Sequence, residues 1–451
     1  MDRKRNEVGF ILFLVLAFAI CLVPSVGTIF RPTTESTENR AMSPAPTLLT
    51  ADGTINFDVF DEFDDWFTDH MALRNQLVYA DAMIQTALFA DSPVSGVVYG
   101  TDGWLYYSAT LDDFLGQNTM SERELYNLAH NLALIQQWLG ERGIVFLLTI
   151  PPNKNTLYPG HMPAWYHATS AEHNAQRLAA YLDEAGVNYL DLFALFAGQG
   201  EELYLKRDSH WNAKGAALVY EAIMARLGAD YTRISSSTPG TTEVVGDLGR
   251  MLYSFYGEPE TDYDYGVRQR YRFGKEDATV EDGMLVATRG DAPNGTLLMF
   301  RDSFANTLVP LMANDFSQSV WSKGQPNAIE RYVTTYLPDY VVIEKVERNM
   351  RQYLDEPPII GAVEATAEDL AKPMRLVEAS ASAETCLFDA SFLEIRGEIT
   401  DGDLAVDADI YVSVNGTLYR SYQTGENGFV LYISADSVSM RDAQVMVFVT
   451  R

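Results

Sequence analysis

"SERELYNLAHNLALIQQWLGERGIVFLLTIPPNK", residues 121–154, decides the architecture of this chain. Ser121 with Glu124 three positions on is a capping box, the signature of a helix start. Apolar residues then recur at helical spacing, and Gly140 or Gly143 stops the helix. "IVFLLTI", 144–150, is an unbroken apolar run of strand length. A strand without polar alternation is buried on both faces, as in a parallel sheet covered by helices. "PPNK", 151–154, is the polar loop that follows it.

The same grammar repeats along the chain. A helical stretch at 170–186 leads to "VNYLDLF", 187–193, and "NAKGAALVYEAIMARLG", 212–228, is a helix with Asn212 as its N-cap. A polar, glycine-containing insertion follows over about 229–290. "TLLMF", 296–300, and "PDYVVIEKVER", 338–348, add two more strands. Upstream, 58–89 places Phe60, Phe63, Phe67, Met71 and Leu77 on one helical face, with His70 as a structural residue. "SGVVYGTDGWLYYS", 95–108, reads as strands around a tight turn. Helices alternating with apolar strands predict an α/β fold with a mostly parallel sheet flanked by helices.

Beyond 385 the pattern changes. "FLEIRGEIT", "DADIYVSVNGTLYRSY", "GFVLYIS" and "AQVMVFVT" alternate apolar and polar residues between turn signals, which predicts a small antiparallel β domain. The expected organisation is an N-terminal anchor or signal peptide (1–30) and a spacer rich in Pro, Ser and Thr (31–55). The main α/β domain (56–354), a connector (355–385) and the C-terminal β module (386–451) follow.

The N-terminus is the clearest topological signal. Arg3, Lys4 and Arg5 precede "VGFILFLVLAFAICLVPSVGTIF", an apolar run long enough to span a bilayer as a helix. Basic residues ahead of the span favour an N-inside orientation, with the globular part outside the cytoplasm. No small-x-small cleavage site follows, so a retained anchor is preferred over a cleaved signal, which would leave a secreted protein. The formal net charge of −29 excludes an extended phosphate-binding surface, so nucleic acid is not an expected partner. Cys21 and Cys386 are too few, and one lies in the apolar segment, so no disulfide framework is expected.

In an α/β sheet, ligands bind beyond the carboxyl ends of the strands. Three polar loops follow apolar stretches: "PPNK" after "IVFLLTI", "KRDSHWN" (206–212) after "LYL", and "RDSFAN" (301–306) after "TLLMF". Together they supply Asp208, His210 and Ser303: a carboxylate, a base and a nucleophile. In a helix, residues two apart point about 200° apart, whereas in an extended loop they share a side. Asn212 as N-cap keeps 208–210 outside the helix, so Asp208 is able to orient His210. Ser209 then points away. Ser303 sits at a strand-to-helix turn, which exposes its hydroxyl and offers backbone N–H groups to an oxyanion. Each loop alone also reads as a helix cap or a solvated turn, and it is their convergence that favours catalysis. Arg301 and Lys154 are candidate groups for substrate contact or for pairing with carboxylates. Trp211 is either core packing or a sugar-stacking platform. His161, His167 and His173, six apart, match no metal pattern, and neither a metal nor a cofactor is expected.

"IPPNKNTLYPGHMPAW", "RDSHWNAKGA" and "LLMFRDSFANTLVPLMANDF" resemble signature blocks of the SGNH hydrolase-like proteins of alginate and related polysaccharide O-acetylation, in particular the DHHW family. The resemblance covers roughly 55–350. It implies an SGNH-hydrolase-like domain that accepts an acyl group on Ser303 and passes it to a hydroxyl of a cell-envelope or exported polysaccharide. His210 would be the base and Asp208 its orienter. A multi-pass membrane O-acyltransferase is the implied partner. A carbohydrate esterase with the same triad, and a non-catalytic glycan- or partner-binding envelope protein, remain the alternatives. Many relatives have Gly where this chain has Arg301, and Arg348 is a further residue that would face the site.

Overall fold

The computed structural model describes the chain apart from residues 1, 35–41, 51–52, 90, 170–171, 254–256, 276–278, 282, 367–374, 389–390, 401 and 437–442, and apart from the side chains of 2–9, 20 and 21. Parts of the expected spacer and connector therefore lie outside the described residues. So does the side chain of Cys21, while Cys386 is an exposed free thiol.

Helix α1 (Asp2–Phe30) carries an apolar stretch, Phe10–Phe30, of 21 residues, long enough to cross a membrane. Its last turn and the residues just past it bond the turn between the next two helices: Ala72 N donates to Thr28 Oγ1 at 2.9 Å, and Thr33 Oγ1 donates to Met71 O at 2.8 Å. The single helix expected over 58–89 is two, α2 (Val59–His70) and α3 (Arg74–Phe89). The break falls at Leu73, whose φ of 62° is a left-handed conformation that no helix continues through.

Among the described residues the main sheet has seven strands: β1 (Val145–Thr149), β2 (Tyr189–Leu190), β3 (Arg272–Phe273), β4 (Leu285–Arg289), β5 (Asn294–Phe300), β6 (Phe316–Ser322) and β7 (Tyr340–Glu344). Their order is β2-β1-β7-β5-β6-β4-β3. The first five run parallel, and β4 and β3 complete one edge antiparallel. One face is covered by α4 (Glu122–Gly140) and α5 (Asn174–Glu184), where Leu132, Ile135 and Leu178 meet Phe146, Leu148 and Ile343. The other is covered by α6 (Ala213–Leu227), where Ala217, Tyr220 and Ile223 meet Leu147, Met299 and Val342. Fully apolar strands are what a sheet buried on both faces requires. The caps form as predicted: Ser121 Oγ accepts from Glu124 N at 3.0 Å, and Asn212 Oδ1 from Gly215 N at 3.0 Å.

Strands from 363 onward build a second unit of two antiparallel sheets, of five and four strands among the described residues, around Ile395, Val412, Leu431 and Val449. The stretch 355–385, read as a connector, contributes strands to both sheets: Val363–Glu364, Leu376–Glu378 and the start of Ala381–Phe388. The sandwich is docked on α4 through buried polar groups. Arg123 donates to the carbonyls of Glu426, Val406 and Ala408 and to Gln423 Oε1, and Asn131 exchanges bonds with the backbone of Gln423.

Candidate active site

The carboxyl ends of β1, β5 and β7 lie side by side, so the loops Pro151–Lys154, Arg301–Ser303 and Lys345–Arg348 leave the sheet at one edge. The Asp208 loop reaches that edge differently. Among the described residues no sheet strand leads directly into it; an isolated bridge between Tyr204 and Trp211 closes residues 204–211 into a tight loop. Lys154 holds this loop from below, its Nζ donating to the carbonyls of Leu205 (3.1 Å), Lys206 (2.9 Å) and Asp208 (2.5 Å).

The arrangement brings Asp208, His210 and Ser303 into a continuous line. Asp208 Oδ1 is 2.7 Å from His210 Nδ1, and His210 Nε2 is 2.8 Å from Ser303 Oγ. Asp208 is itself immobilised: Oδ1 also accepts from His210 N at 2.9 Å, and Oδ2 from Asp247 N at 2.9 Å. The imidazole packs against Phe304, ring centroids 4.8 Å apart. With Nδ1–H facing a carboxylate, Nε2 is the nitrogen left to accept from the serine hydroxyl.

Electrostatics follow from this geometry. Burial alone favours neutral imidazole, but the hydrogen bond and charge of Asp208, with the charges of Asp247 and Asp302, outweigh it and raise the His210 pKa. Burial likewise opposes ionisation of Asp208, and is overcome by the hydrogen bond and charge of His210 and by the N–H groups of Asp247 and His210. Its carboxylate is held well below the usual range.

Ser303 is placed by its neighbour. Asp302 Oδ1 accepts from Phe304 N at 2.9 Å and its Oδ2 from Val346 N at 2.7 Å, tying the turn to the loop after β7. The helix expected after Ser303 is a short 3₁₀ turn, Ser303–Asn306, and the Phe304 N–H is already taken by Asp302.

The three residues left open between substrate contact and a structural role face inward. Arg301 is 0% exposed, donating to Asp302 O, Asn306 Oδ1 and Val280 O. Lys154 is 4% exposed and spent on the carbonyls above, with burial pushing its ammonium down to about 7. Trp211 is 1% exposed, its indole N–H bonded to Thr307 Oγ1 and its ring against Phe304. In each case the residue shapes a loop that carries a site residue, and its side chain is not presented to a ligand. Ser209 does not simply point away: its hydroxyl donates to Asp247 Oδ2 at 2.6 Å and lies 3.3 Å from His210 Nδ1. Arg348 is half-buried, its guanidinium 5.2 Å from the Tyr107 ring centroid.

Asp247 is the site residue that motif reading does not find. It opens the short helix α7 (Asp247–Leu252) inside the polar insertion, far in sequence from either motif. With Asp208 and His210 it forms a cluster with metal-ligand residue types. The carboxylate oxygens are, however, filled by protein donors: Asp247 Oδ1 accepts from Ser209 N and Leu248 N, both at 2.7 Å. The donor set suits a hydrogen-bonded relay.

The site is thus an Asp-His-Ser line at the carboxyl edge of a three-layer α/β sheet. Residues 97–286 match the family described as "SGNH hydrolase-like domain, acetyltransferase AlgX". That stretch contains Asp208, His210 and Asp247 and ends ahead of Ser303. Two similar proteins are the probable alginate O-acetylases AlgJ of Pseudomonas syringae pv. tomato, 33% identical over 141 residues, and of Pseudomonas aeruginosa, 31% identical over 140. The matches take in 29% and 30% of this chain, and 33% of the length of each relative. Among solved structures, Bacillus cereus PatB1 aligns with a TM-score of 0.44 at 20% identity, over 55% of this chain and 95% of its own. A DHHW family protein from Eubacterium siraeum aligns with a TM-score of 0.42 at 16% identity, over 56% and 91%.

Proposed function

We propose that this chain is a serine-dependent O-acetyltransferase of a cell-envelope or exported polysaccharide, held at the membrane by α1 with its globular part outside the cytoplasm. The observation that carries the reading is the unbroken line from Asp208 through His210 to Ser303, at 2.7 and 2.8 Å. The similarity to proteins named as probable alginate O-acetylases supports the reaction class. The basic residues ahead of the apolar span support the orientation.

Ser303 Oγ attacks the carbonyl carbon of an acetyl donor while its proton passes to His210 Nε2. Asp208 keeps the proton on Nδ1 and stabilises the imidazolium. Collapse of the tetrahedral species releases the donor's leaving group, which takes the proton from Nε2, and leaves acetyl-Ser303. A sugar hydroxyl then gives its proton to Nε2 and attacks the ester; the proton returns to Ser303 Oγ as the acetylated sugar departs. Water in place of the sugar makes the same site a carbohydrate esterase, the second reading. An acetyl donor delivered from the membrane side, by a multi-pass acyltransferase partner, suits a catalytic unit tethered there.

The test uses the full chain in detergent micelles with an aryl acetate. Mass spectrometry is expected to find an acetyl group on Ser303, lost in Ser303→Ala and strongly reduced in His210→Ala. Turnover unchanged in both variants would overturn the reading. Added glycan oligomers then separate transfer from hydrolysis by where the acetyl group goes.

A further inference from the structure

We infer that Asp247 is a second carboxylate of the relay, a positioning residue that acts through His210 by holding negative charge beside the imidazole. The inference rests on the Ser303–His210–Asp208 reading and adds to it a residue from the insertion.

Three oxygens surround His210 Nδ1. Asp208 Oδ1 lies at 2.7 Å, Ser209 Oγ at 3.3 Å and Asp247 Oδ2 at 3.7 Å. Asp247 Oδ2 is fixed there by the Ser209 hydroxyl at 2.6 Å, and its Oδ1 by the N–H groups of Ser209 and Leu248. Its backbone N–H in turn holds Asp208 Oδ2. The two aspartates therefore interlock, and both face one imidazole.

The insertion is built to bring Asp247 there. Gly249 N donates to Arg207 O at 2.9 Å, so α7 is pinned to the Asp208 loop. At Gly246 a Cβ would lie 2.2 Å from Arg207 O, so only glycine allows the two backbones to touch. Glu260 completes the brace by accepting from Lys206 N and Arg207 N at 2.7 and 2.8 Å.

The chemical consequence is specific. When the Ser303 proton reaches Nε2, the ring becomes a cation, and a carboxylate 3.7 Å from Nδ1 stabilises it more than it stabilises the neutral ring. The charged groups that share this environment are Asp208, Asp302 from the Ser303 turn, and Lys154 beneath the loop. Glu260 and Arg207 brace its outer side. Asp247 is the member whose removal changes charge while leaving the Asp208–His210–Ser303 line in place. Burial and the neighbouring Asp208 charge raise its own pKa, while the His210 charge and the Ser209 donors favour its ionised form.

The experiment compares kcat/KM for aryl acetate hydrolysis across pH in the full chain, Asp247→Asn and Ser209→Ala. Asparagine retains the shape and an acceptor for the Ser209 and Leu248 N–H groups, and removes the charge. Loss of a carboxylate at this distance lowers the His210 pKa, so the acidic limb of Asp247→Asn is expected to move down by about one pH unit. Ser209→Ala frees Oδ2 but keeps the charge, with Oδ1 still held by the Ser209 and Leu248 N–H groups, so its limb is expected to move by less than half as much as that of Asp247→Asn. An Asp247→Asn limb that coincides with the wild type, or an equal shift in Ser209→Ala, overturns the inference. Asp247→Ser serves the same comparison if the asparagine variant loses its circular dichroism spectrum. Ser303→Ala separates the two readings: if it still turns over, the triad fails, whereas a dead Ser303→Ala with an unmoved Asp247→Asn limb sinks only the role of Asp247.

Discussion

Replacing Glu347 with glutamine should change how stability depends on pH, in a direction opposite to ordinary acid denaturation. Glu347 follows β7 and is 3% exposed, with Oε2 accepting from Asn153 N at 2.8 Å and Thr156 Oγ1 at 2.9 Å. It thereby braces the "PPNK" loop. Burial first, and then the charge of Asp113, push its carboxyl up to about 8 from an ordinary 4.5. Its other oxygen lies 3.6 Å from His173 Nδ1. That distance suggests an ion pair, but burial lowers the histidine's pKa as well, so both groups are neutral near pH 7 and the contact is not ionic. Between these two values the unfolded chain has released the proton and the folded one keeps it, so stability falls as pH rises and levels off above the folded pKa. The difference of roughly 3.5 units, at ~1.4 kcal/mol each, gives on the order of 5 kcal/mol, and relaxation around the ionised carboxyl reduces what is observed. Glutamine retains the acceptor for Asn153 and Thr156 and has no proton to lose. Thermal midpoints measured from about pH 5 to 9 should therefore nearly coincide at the acidic end and diverge in favour of Glu347→Gln at the alkaline end. Parallel curves would refute the reasoning, because every other titrating group is common to both proteins.

Three further outcomes are expected. Asp208→Asn retains the shape of the relay but not its charge, and should slow acetyl capture by about 10³–10⁴-fold with an unchanged circular dichroism spectrum; a change under tenfold would show that Asp208 is only a loop cap. Since Asp208 raises the His210 pKa and acylation needs neutral imidazole, aryl acetate turnover should fall with an acidic limb above about 6.5, and a limb below that value contradicts the assignment. The stability from protonated His210 has the opposite pH sense: complete below its unfolded pKa, it disappears as pH rises through the folded one. Arg123→Ala leaves the carbonyls of Glu426, Val406 and Ala408 without their donor and should cost about 1–3 kcal/mol. Hydrogen exchange should then quicken first in 406–430; uniform protection would show that the sandwich docks without this arginine.

Local chemistry made much of this readable in advance. The capping box at Ser121, the Asn212 cap and the apolar run 144–150 are nearest-neighbour patterns, and each forms where its pattern sits. Asp208 and His210 share a side because an extended loop puts i and i+2 together. The sequence leaves two readings open where a side chain's partner is remote. Arg301 and Lys154 stand between ligand contact and internal pairing, because a charge beside a motif looks the same whether it faces out or in. Arg123, Asn127, His130 and Asn131 of α4 are all buried under the C-terminal sandwich, which no local pattern in the helix announces.

By itself, then, the amino-acid sequence determined the secondary-structure grammar, the apolar N-terminal span, and the residue types able to form a relay. Those depend on periodicity, length and adjacency, which act over a few residues. Only the tertiary structure decided that His210 lies 2.8 Å from Ser303, that a carboxylate from the insertion stands beside the same imidazole, and that a polar helix face is an interior surface. Those outcomes depend on which distant backbone N–H and C=O groups a buried side chain meets, and that is settled by packing.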